Sequence, residues 1–174
     1  RSVGKCLHGN HSKVFPGAAY EEDSSVPCFE GKPQPCLNSD MQIHGWERPG
    51  EHNELSRRPY IEGSWMTEHD GKYYLQYAAP GTEWKTYADG AYVADTPVGP
   101  FTYVANNPVS YKPGGFIGGA GHGCIFQVGN NYWKAATNSI SVRHMFERRL
   151  SFFPTCFDAD GYLYSDTSFG DYPM

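Results

Sequence analysis

The feature that most constrains this chain is a glycine-containing turn followed by an aromatic run, which recurs along its C-terminal two thirds. The turns lie at residues 70–71, 129–131 and 160–161, and the runs that follow are KYYLQYA, YWK and YLY. Such turns suit β-hairpins, and tyrosine-rich runs suit strands. Trp133 follows Tyr74 by 59 residues, at the matching place of its unit. Repeats of this length are typical of four-stranded propeller blades, although spacing alone allows a β-sandwich equally well.

Composition favours an all-β fold and excludes several classes of protein. The 174 residues include 20 Gly and 13 Pro, which disfavour long helices, and 16% are aromatic, which disfavours disorder. The net charge of −5 argues against a nucleic-acid partner, which needs a basic face. Apolar runs are only a few residues long, so no membrane span is predicted. The five cysteines form no C-x-x-C pair, which indicates mostly free thiols.

Two stretches of the chain differ in texture. Residues 1–57 are polar and irregular, and we interpret them as the remnant of an upstream blade, whereas residues 58–174 carry the strand patterns. At 59 residues per unit the chain holds about three blades, while propellers typically close with at least four. An open arc exposes unpaired strand edges. We therefore expect an incomplete propeller, whose open edges are covered by missing blades or by another chain.

Glu62 is the main candidate for chemistry. It lies in YIEGSWM, between an apolar residue and a glycine and close to two aromatic residues. Apolar surroundings disfavour a charged carboxylate and raise its pKa toward the range of a general acid. Tyr60 and Trp65 are candidates for stacking on the apolar face of a sugar. The alternative is a solvated carboxylate at a strand end beside a core tryptophan, which is the commoner role of such residues.

A second candidate segment, GGAGHGC at 118–124, places five small residues around His122. Small residues let a backbone approach a ligand closely, and a neutral imidazole keeps one ring nitrogen free. His122 is therefore a candidate metal ligand or substrate contact, with a structural histidine in a turn as the alternative. Arg148 is a weaker candidate for donating to a sugar hydroxyl. Asp89 lies beside a glycine, and we assign it to local hydrogen bonds of a turn.

Together these segments resemble glycoside hydrolase family 43. IEGSWM at 61–66 with DGKYYL at 70–75 is similar to the family's general-acid strand and hairpin, YVADTPVGPF to a recurring turn element, and Gly121-His122-Gly123 to its central histidine loop. The resemblance implies a five-bladed β-propeller that cleaves arabinose- or xylose-containing oligo- or polysaccharides with inversion, outside the cell or in the periplasm. It implies that Glu62 is the general acid. It also places His122 near a central metal ion, often calcium, that it contacts through water.

The chain departs from the family pattern in its aspartates. The family's catalytic base and the aspartate that tunes the acid each lie upstream on an Asp-Pro strand entry, and no Asp-Pro occurs here. Only Asp23 and Asp40 precede Glu62, both in turn-like segments. We therefore expect that Glu62 faces His122 in a shared centre but that this chain alone does not hydrolyse glycosides. The alternative function is a non-catalytic carbohydrate-binding or scaffold module, which needs aromatic platforms and no paired carboxylates.

Overall fold

The computed structural model describes residues 13–14, 36–139 and 146–168, and nearly all of the regular structure in them is β. Their strands are β1 (Lys13–Val14), β2 (Leu37–Asn38), β3 (Glu62–His69), β4 (Lys72–Ala79), β5 (Ala88–Ala94), β6 (Thr102–Tyr103), β7 (Gly118–Val128), β8 (Asn131–Ser139), β9 (Arg148–Phe157) and β10 (Leu163–Ser165). A 3-10 turn, Gly45–Glu47, precedes the first four-stranded sheet. The all-β prediction is confirmed.

The first sheet is a four-stranded antiparallel meander, β3-β4-β5-β6. The predicted hairpin turn joins β3 to β4, with Asp70 at φ 49° and Gly71 at φ 74°. Both residue types tolerate the left-handed backbone that a tight turn needs. The register places Glu62 opposite Ala78, and Ala78 opposite Asp89 on the next strand. Glu62, the candidate general acid, is therefore the first residue of β3 and lies at one end of the sheet.

The second sheet repeats this plan with β7, β8, β9 and β10 in order. Tyr74 is the third residue of β4 and Trp133 the third of β8, so the spacing of 59 residues does relate equivalent positions of two blades. One difference lies in β7. Its register against β8 shifts between Gly118 and Gly121 and again between Gly121 and Cys124, which makes the strand irregular around His122.

The two sheets meet along a seam, which we define as the contact of β7 with β3, β4 and β5. Six buried side chains form its apolar core: Tyr74, Ala91, Val104, Val109, Ile125 and Leu163. The Tyr74 hydroxyl crosses the seam and donates to the Gly161 carbonyl at 2.6 Å. The His69 ring stacks on Phe157 with centroids 3.9 Å apart. Tyr74, a predicted strand residue, thus joins the two blades together with the stacked rings of His69 and Phe157.

The opposite face of the first sheet is covered by residues 36–61. Tyr77 is fully buried there, and its hydroxyl donates to the equally buried Glu47 at 2.6 Å. Trp46 lies beside this pair, and its indole N–H donates to the Tyr103 hydroxyl at 2.8 Å. Most of the predicted irregular segment, residues 1–12 and 15–35, lies outside the described residues, and the division at residue 57 stays a prediction.

The second sheet buries one face and exposes the other. In β9, Phe153 points into the seam side and is fully buried, whereas its neighbour Phe152 is 49% exposed. We call the exposed face, on which Phe152 lies, the outer face. Its exposed apolar residues are Phe126, Val128, Leu150 and Phe152. The prediction that further blades or another chain cover the open arc stays open. No helix in the described ranges is long and apolar enough to cross a membrane.

Candidate functional site

Glu62, Tyr87 and His122 come together at one end of the seam. Glu62 begins β3, Tyr87 immediately precedes β5, and His122 lies in the irregular part of β7. The Tyr87 hydroxyl donates to Glu62 Oε1 at 2.8 Å and lies 3.2 Å from His122 Nδ1. His122 Nδ1 is 4.0 Å from Glu62 Oε2. The structure thus brings the two predicted side chains face to face, with a tyrosine between them that the sequence analysis did not single out.

Burial distinguishes Tyr87 from its two partners. Tyr87 is 2% exposed, whereas the side chains of Glu62 and His122 are 41% and 49% exposed. Burial raises the pKa of Tyr87, and the nearby charges of Glu62 and Asp89 raise it further. The phenol therefore stays protonated and can act only as a donor to the carboxylate. The result is a solvent-accessible carboxylate that is oriented from below by a buried hydroxyl.

Two glycines make this close approach possible. A Cβ atom at Gly63 would lie 2.8 Å from Cγ of His122, and Gly63 has a left-handed backbone with φ 61°. A Cβ at Gly121 would lie 2.8 Å from the Tyr87 ring. His122 itself has φ 51°, a conformation that disfavours a residue with a side chain by roughly 1–2 kcal/mol. The glycines therefore allow the His122 ring to pack on the backbone of Gly63 and the Tyr87 ring to pack on the backbone of Gly121.

Asp89 lies beneath this group, and our assignment of it to a turn is wrong. It is a fully buried residue of β5 whose carboxylate reaches across the seam. Oδ1 accepts from the His122 backbone N–H at 2.7 Å, and Oδ2 accepts from the Gly123 N–H at 2.9 Å. The buried Lys134 ammonium also donates to Oδ2. Burial raises the pKa of the Asp89 carboxyl, and Lys134 and the two N–H groups oppose that rise.

Of the three candidate substrate contacts, the structure places Arg148 and Trp65 near the site, and shows Tyr60 beside the loop after β4. Arg148 begins β9 and is exposed, and its positive charge opposes the rise in the pKa of Tyr87 that burial causes. Trp65 is 42% exposed and donates its indole N–H to the Ile125 carbonyl at 3.1 Å. Together with His122, it lines a pocket of about 240 Å³. Tyr60 is 46% exposed and lies beside the loop after β4, where its N–H donates to the Pro80 carbonyl at 2.7 Å.

The comparison with protein families decides which class this site belongs to. The model for glycosyl hydrolases family 43 matches residues 37–163. The chain belongs to this family. The match begins at β2, ends at the first residue of β10 and includes every residue of the site.

Individual relatives match parts of the chain. A xylosidase/arabinosidase of Bacteroides ovatus is 44% identical over 48 residues, which are 28% of this chain and 14% of that protein. The solved endo-1,4-β-xylanase of Bacteroides thetaiotaomicron is 24% identical with a TM-score of 0.64, over 77% of this chain and 43% of that one. A thermostable family-43 glycoside hydrolase is 23% identical with a TM-score of 0.66, over 83% and 45%. The chain therefore spans less than half of these proteins, and its sheets are blades of a partial β-propeller.

Calcium is the metal that the family-43 resemblance implies near His122. In the parts of the chain that are described, no three His, Cys, Asp or Glu side chains lie close enough to hold a metal ion. Calcium prefers six to eight oxygen ligands, and the carboxylate of Asp89 is already occupied by Lys134 and two N–H groups. These side chains therefore do not form a direct calcium site. Contact through water at His122 stays a prediction, and no step proposed below uses it.

Of the two aspartates upstream of Glu62, the structure describes Asp40 alone. Asp40 Oδ1 accepts from the N–H groups of Gln42 at 3.1 Å and Ile43 at 3.3 Å, which is the local pattern of a turn aspartate. Asp23 lies outside the described residues. Asp40 is thus occupied by its own turn.

Sequence reasoning missed Tyr87, Asp89 and Lys134, although a signal for them exists. Asp89 interrupts the otherwise uncharged strand ADGAYVA, and Lys134 interrupts NYWKAATNS. A charge inside a strand of small and apolar residues is unusual, and opposite charges in two such strands indicate a buried pair. Residues at i and i+2 share one face of an extended chain, which places Tyr87 on the face of Asp89 but does not identify its partners.

Proposed function

We propose that this chain is the acid-bearing part of an inverting family-43 glycosidase that acts on xylose- or arabinose-containing glycans, with Glu62 as general acid. The observation that carries the proposal is the convergence of Glu62, Tyr87 and His122 at the seam of two blades in a chain of this family. The carboxylate is accessible to a substrate and is held in one orientation by a donor that cannot ionise under working conditions.

In this mechanism Glu62 protonates the departing glycosidic oxygen. Tyr87 occupies Oε1, so Oε2 is the oxygen that carries the proton toward the substrate. A base carboxylate activates a water on the other face of the sugar, and in inverting enzymes the two carboxyl groups are roughly 6.5–9.5 Å apart. We expect this base on an upstream Asp-Pro strand entry, and no Asp-Pro occurs in this sequence. The isolated 174-residue chain is accordingly expected to release no sugar.

The proposed substrate class is supported by the names of the relatives and by the side chains around Glu62. The relatives include a xylosidase/arabinosidase and an endo-1,4-β-xylanase. Trp65 and Tyr60 offer aromatic faces for the apolar side of a sugar ring, and Arg148 offers donors for hydroxyl groups. Because polymeric glycans lie outside the cell, the same proposal places the protein in the extracellular space or the periplasm.

The test uses a longer polypeptide in which the upstream Asp-Pro-bearing blades of a family-43 relative precede this chain. Aryl xylosides and arabinofuranosides serve as probes, and proton NMR of the released sugar gives its anomeric configuration. Glu62→Gln is expected to lower turnover by about 10²-fold or more, because the leaving group loses its proton donor. Glu68→Gln, on the same strand but at the far turn, is the matched control and keeps full turnover. Unchanged turnover with Glu62→Gln contradicts the assignment.

The alternative is a carbohydrate-binding or scaffold module, and the exposed rings of Tyr60 and Trp65 favour it. Such a module binds xylo-oligosaccharides without cutting them. Calorimetric titration of the longer polypeptide, combined with sugar release, separates the two functions. Binding that is lost with Trp65→Ala, but is never accompanied by release, supports the module. Release that depends on Glu62 supports the glycosidase.

A further inference from the structure

We propose that Asp89 and Lys134 act together as positioning residues that hold the His122 imidazole against Glu62. The inference rests on the proposed function in one respect: the position matters for catalysis only if Glu62 is the acid. The geometric part stands on its own contacts. A carboxylate of the first sheet and an ammonium of the second meet beneath the site, and both are fully buried.

The carboxylate replaces backbone partners that the irregular strand does not supply. The register of β7 against β8 shifts on both sides of Gly121, which interrupts the regular ladder around His122 and Gly123. Buried N–H groups need acceptors, and Asp89 supplies one oxygen to each of these two. Because Asp89 belongs to β5, these hydrogen bonds fix the position of β7 relative to the sheet that carries Glu62.

The same two hydrogen bonds hold the conformation that directs the imidazole. His122 has φ 51°, a left-handed backbone that a side-chain-bearing residue keeps only when its surroundings hold it there. In this conformation the ring packs on Gly63 and its Nδ1 lies 3.2 Å from the Tyr87 hydroxyl. Removing the acceptors leaves two buried donors unpaired, so the backbone is expected to relax and move the ring away from Gly63.

Lys134 makes the carboxylate a strong acceptor. A buried ammonium beside Asp89 favours its charged form, and hydrogen bonds to a charged acceptor are stronger than those to a neutral one. The fold alone does not require such a pair, because well-packed apolar residues often replace buried ion pairs without loss of stability. What an apolar replacement cannot supply is the pair of oxygens for His122 and Gly123.

The test is NMR spectroscopy of the 174-residue chain, with two signals that do not depend on activity. The first is the chemical shift and solvent exchange of the His122 and Gly123 amide protons, expected downfield and slow in the wild type. The second is the nuclear Overhauser effect between the His122 ring and the α-protons of Gly63. Wild-type amides that exchange as fast as exposed ones overturn the proposal without any variant.

Asp89→Asn and the double variant Asp89→Asn/Lys134→Met are then compared with Glu47→Gln, a matched change at a buried carboxylate on the other face of the first sheet. The double variant removes both buried charges, so it folds even where the single variant fails to fold. We expect upfield amide shifts and at least a twofold weaker ring-to-Gly63 signal in the double variant, and neither change in Glu47→Gln. Unchanged signals in the double variant show that the pair is only structural.

In the longer polypeptide the double variant is expected to lower kcat by up to about 10²-fold, with KM little changed, because a small displacement of a site residue mainly affects the transition state. If Glu62→Gln keeps full turnover, the proposed function fails, and the NMR signals still decide whether Asp89 and Lys134 hold His122. The two failures are therefore distinguishable.

Discussion

The two sheets are built alike but are covered differently. Gln76 pairs with Ala91 in the first sheet, and at the equivalent position of the second sheet Ala135 pairs with Phe152. Ala91 is fully buried in the seam, whereas Phe152 is 49% exposed on the outer face. The second sheet thus carries larger apolar groups where it is less covered. A face of this kind is typical of an interface, which supports the prediction of a further blade.

The same comparison shows why the chemistry lies at this seam. Ala78 pairs with Asp89 in the first sheet, and the equivalent pair in the second is Thr137 and Leu150. Asp89 is fully buried and crosses to the His122 loop, whereas Leu150 is 66% exposed and apolar. Equivalent backbone positions therefore carry a polar anchor at one face and an apolar contact at the next. Only the first is suited to orienting a reactive group.

The largest expected change in stability is a difference between substitutions on the two faces of β9. Phe153→Ala is expected to lower the free energy of unfolding by about 3–5 kcal/mol, because it opens a cavity at a fully buried position. Phe152→Ala is expected to lower the free energy of unfolding by about 1 kcal/mol or less. The exposed Phe152 ring meets the Phe126 ring edge-on, with ring centroids 6.1 Å apart. Urea unfolding of both variants measures the difference.

One outcome would contradict this comparison of the two faces of β9. Equal losses for Phe152→Ala and Phe153→Ala would mean that the outer face is already covered in the isolated chain, by a second copy or by residues outside the described ranges. Repeating the measurement at several protein concentrations identifies a second copy, because its contribution to stability depends on concentration.

A smaller loss of stability is expected when the tyrosine is changed in either of the two tyrosine–carboxylate pairs, which lie on opposite sides of the first sheet. Tyr77→Phe removes the donor to fully buried Glu47, and Tyr87→Phe removes the donor to Glu62, which is 41% exposed. Because water can replace only the second donor, Tyr77→Phe is expected to cost about 1–3 kcal/mol and Tyr87→Phe about 1 kcal/mol or less. Thermal unfolding of the two variants checks the order. A larger loss for Tyr87→Phe would show that the seam, not the Glu47 side, holds the first sheet.

The sequence predicted the strand segments well for a physical reason. Turn residues and aromatic strand runs are local properties, so the hairpin at Asp70-Gly71 and the spacing of Tyr74 and Trp133 are visible without a structure. The proximity of Glu62 and His122 is not local. It was predicted from resemblance to a family, because 60 residues separate the two positions in the chain.

The supporting residues could not be predicted in the same way. Asp89 beside a glycine satisfies the local rule for a turn, and only the packing of β7 on β5 shows that its partners are 33 and 34 residues away. Tyr87 likewise looks like any of 13 tyrosines until the seam places it between Glu62 and His122. Long-range polar contacts depend on how sheets pack, which residue spacing within one strand does not reveal.

The smallest expected effect concerns the pH dependence of the Glu47 side, which lies opposite the Asp89 side of the first sheet. Burial raises the pKa of Glu47, while Tyr77, His44 and the Asp40 N–H oppose the rise. A carboxyl whose folded pKa is raised stabilises the fold most below its unfolded pKa, near 4.5, and that contribution is lost as pH rises through the folded pKa. Glutamine does not ionise. The Tm of Glu47→Gln relative to wild type is therefore expected to increase from pH 4 to pH 7.

This shift in Tm is expected to stay below the roughly 2–4 °C that 1 kcal/mol produces in a chain of this size. His44 Nδ1 lies 3.1 Å from Glu47 Oε1, so both proteins are compared in a His44→Gln background. There the imidazole no longer contributes, and the remaining pH dependence belongs to Glu47. A relative Tm that falls between pH 4 and pH 7 would mean that the hydrogen bonds to Glu47 outweigh its burial.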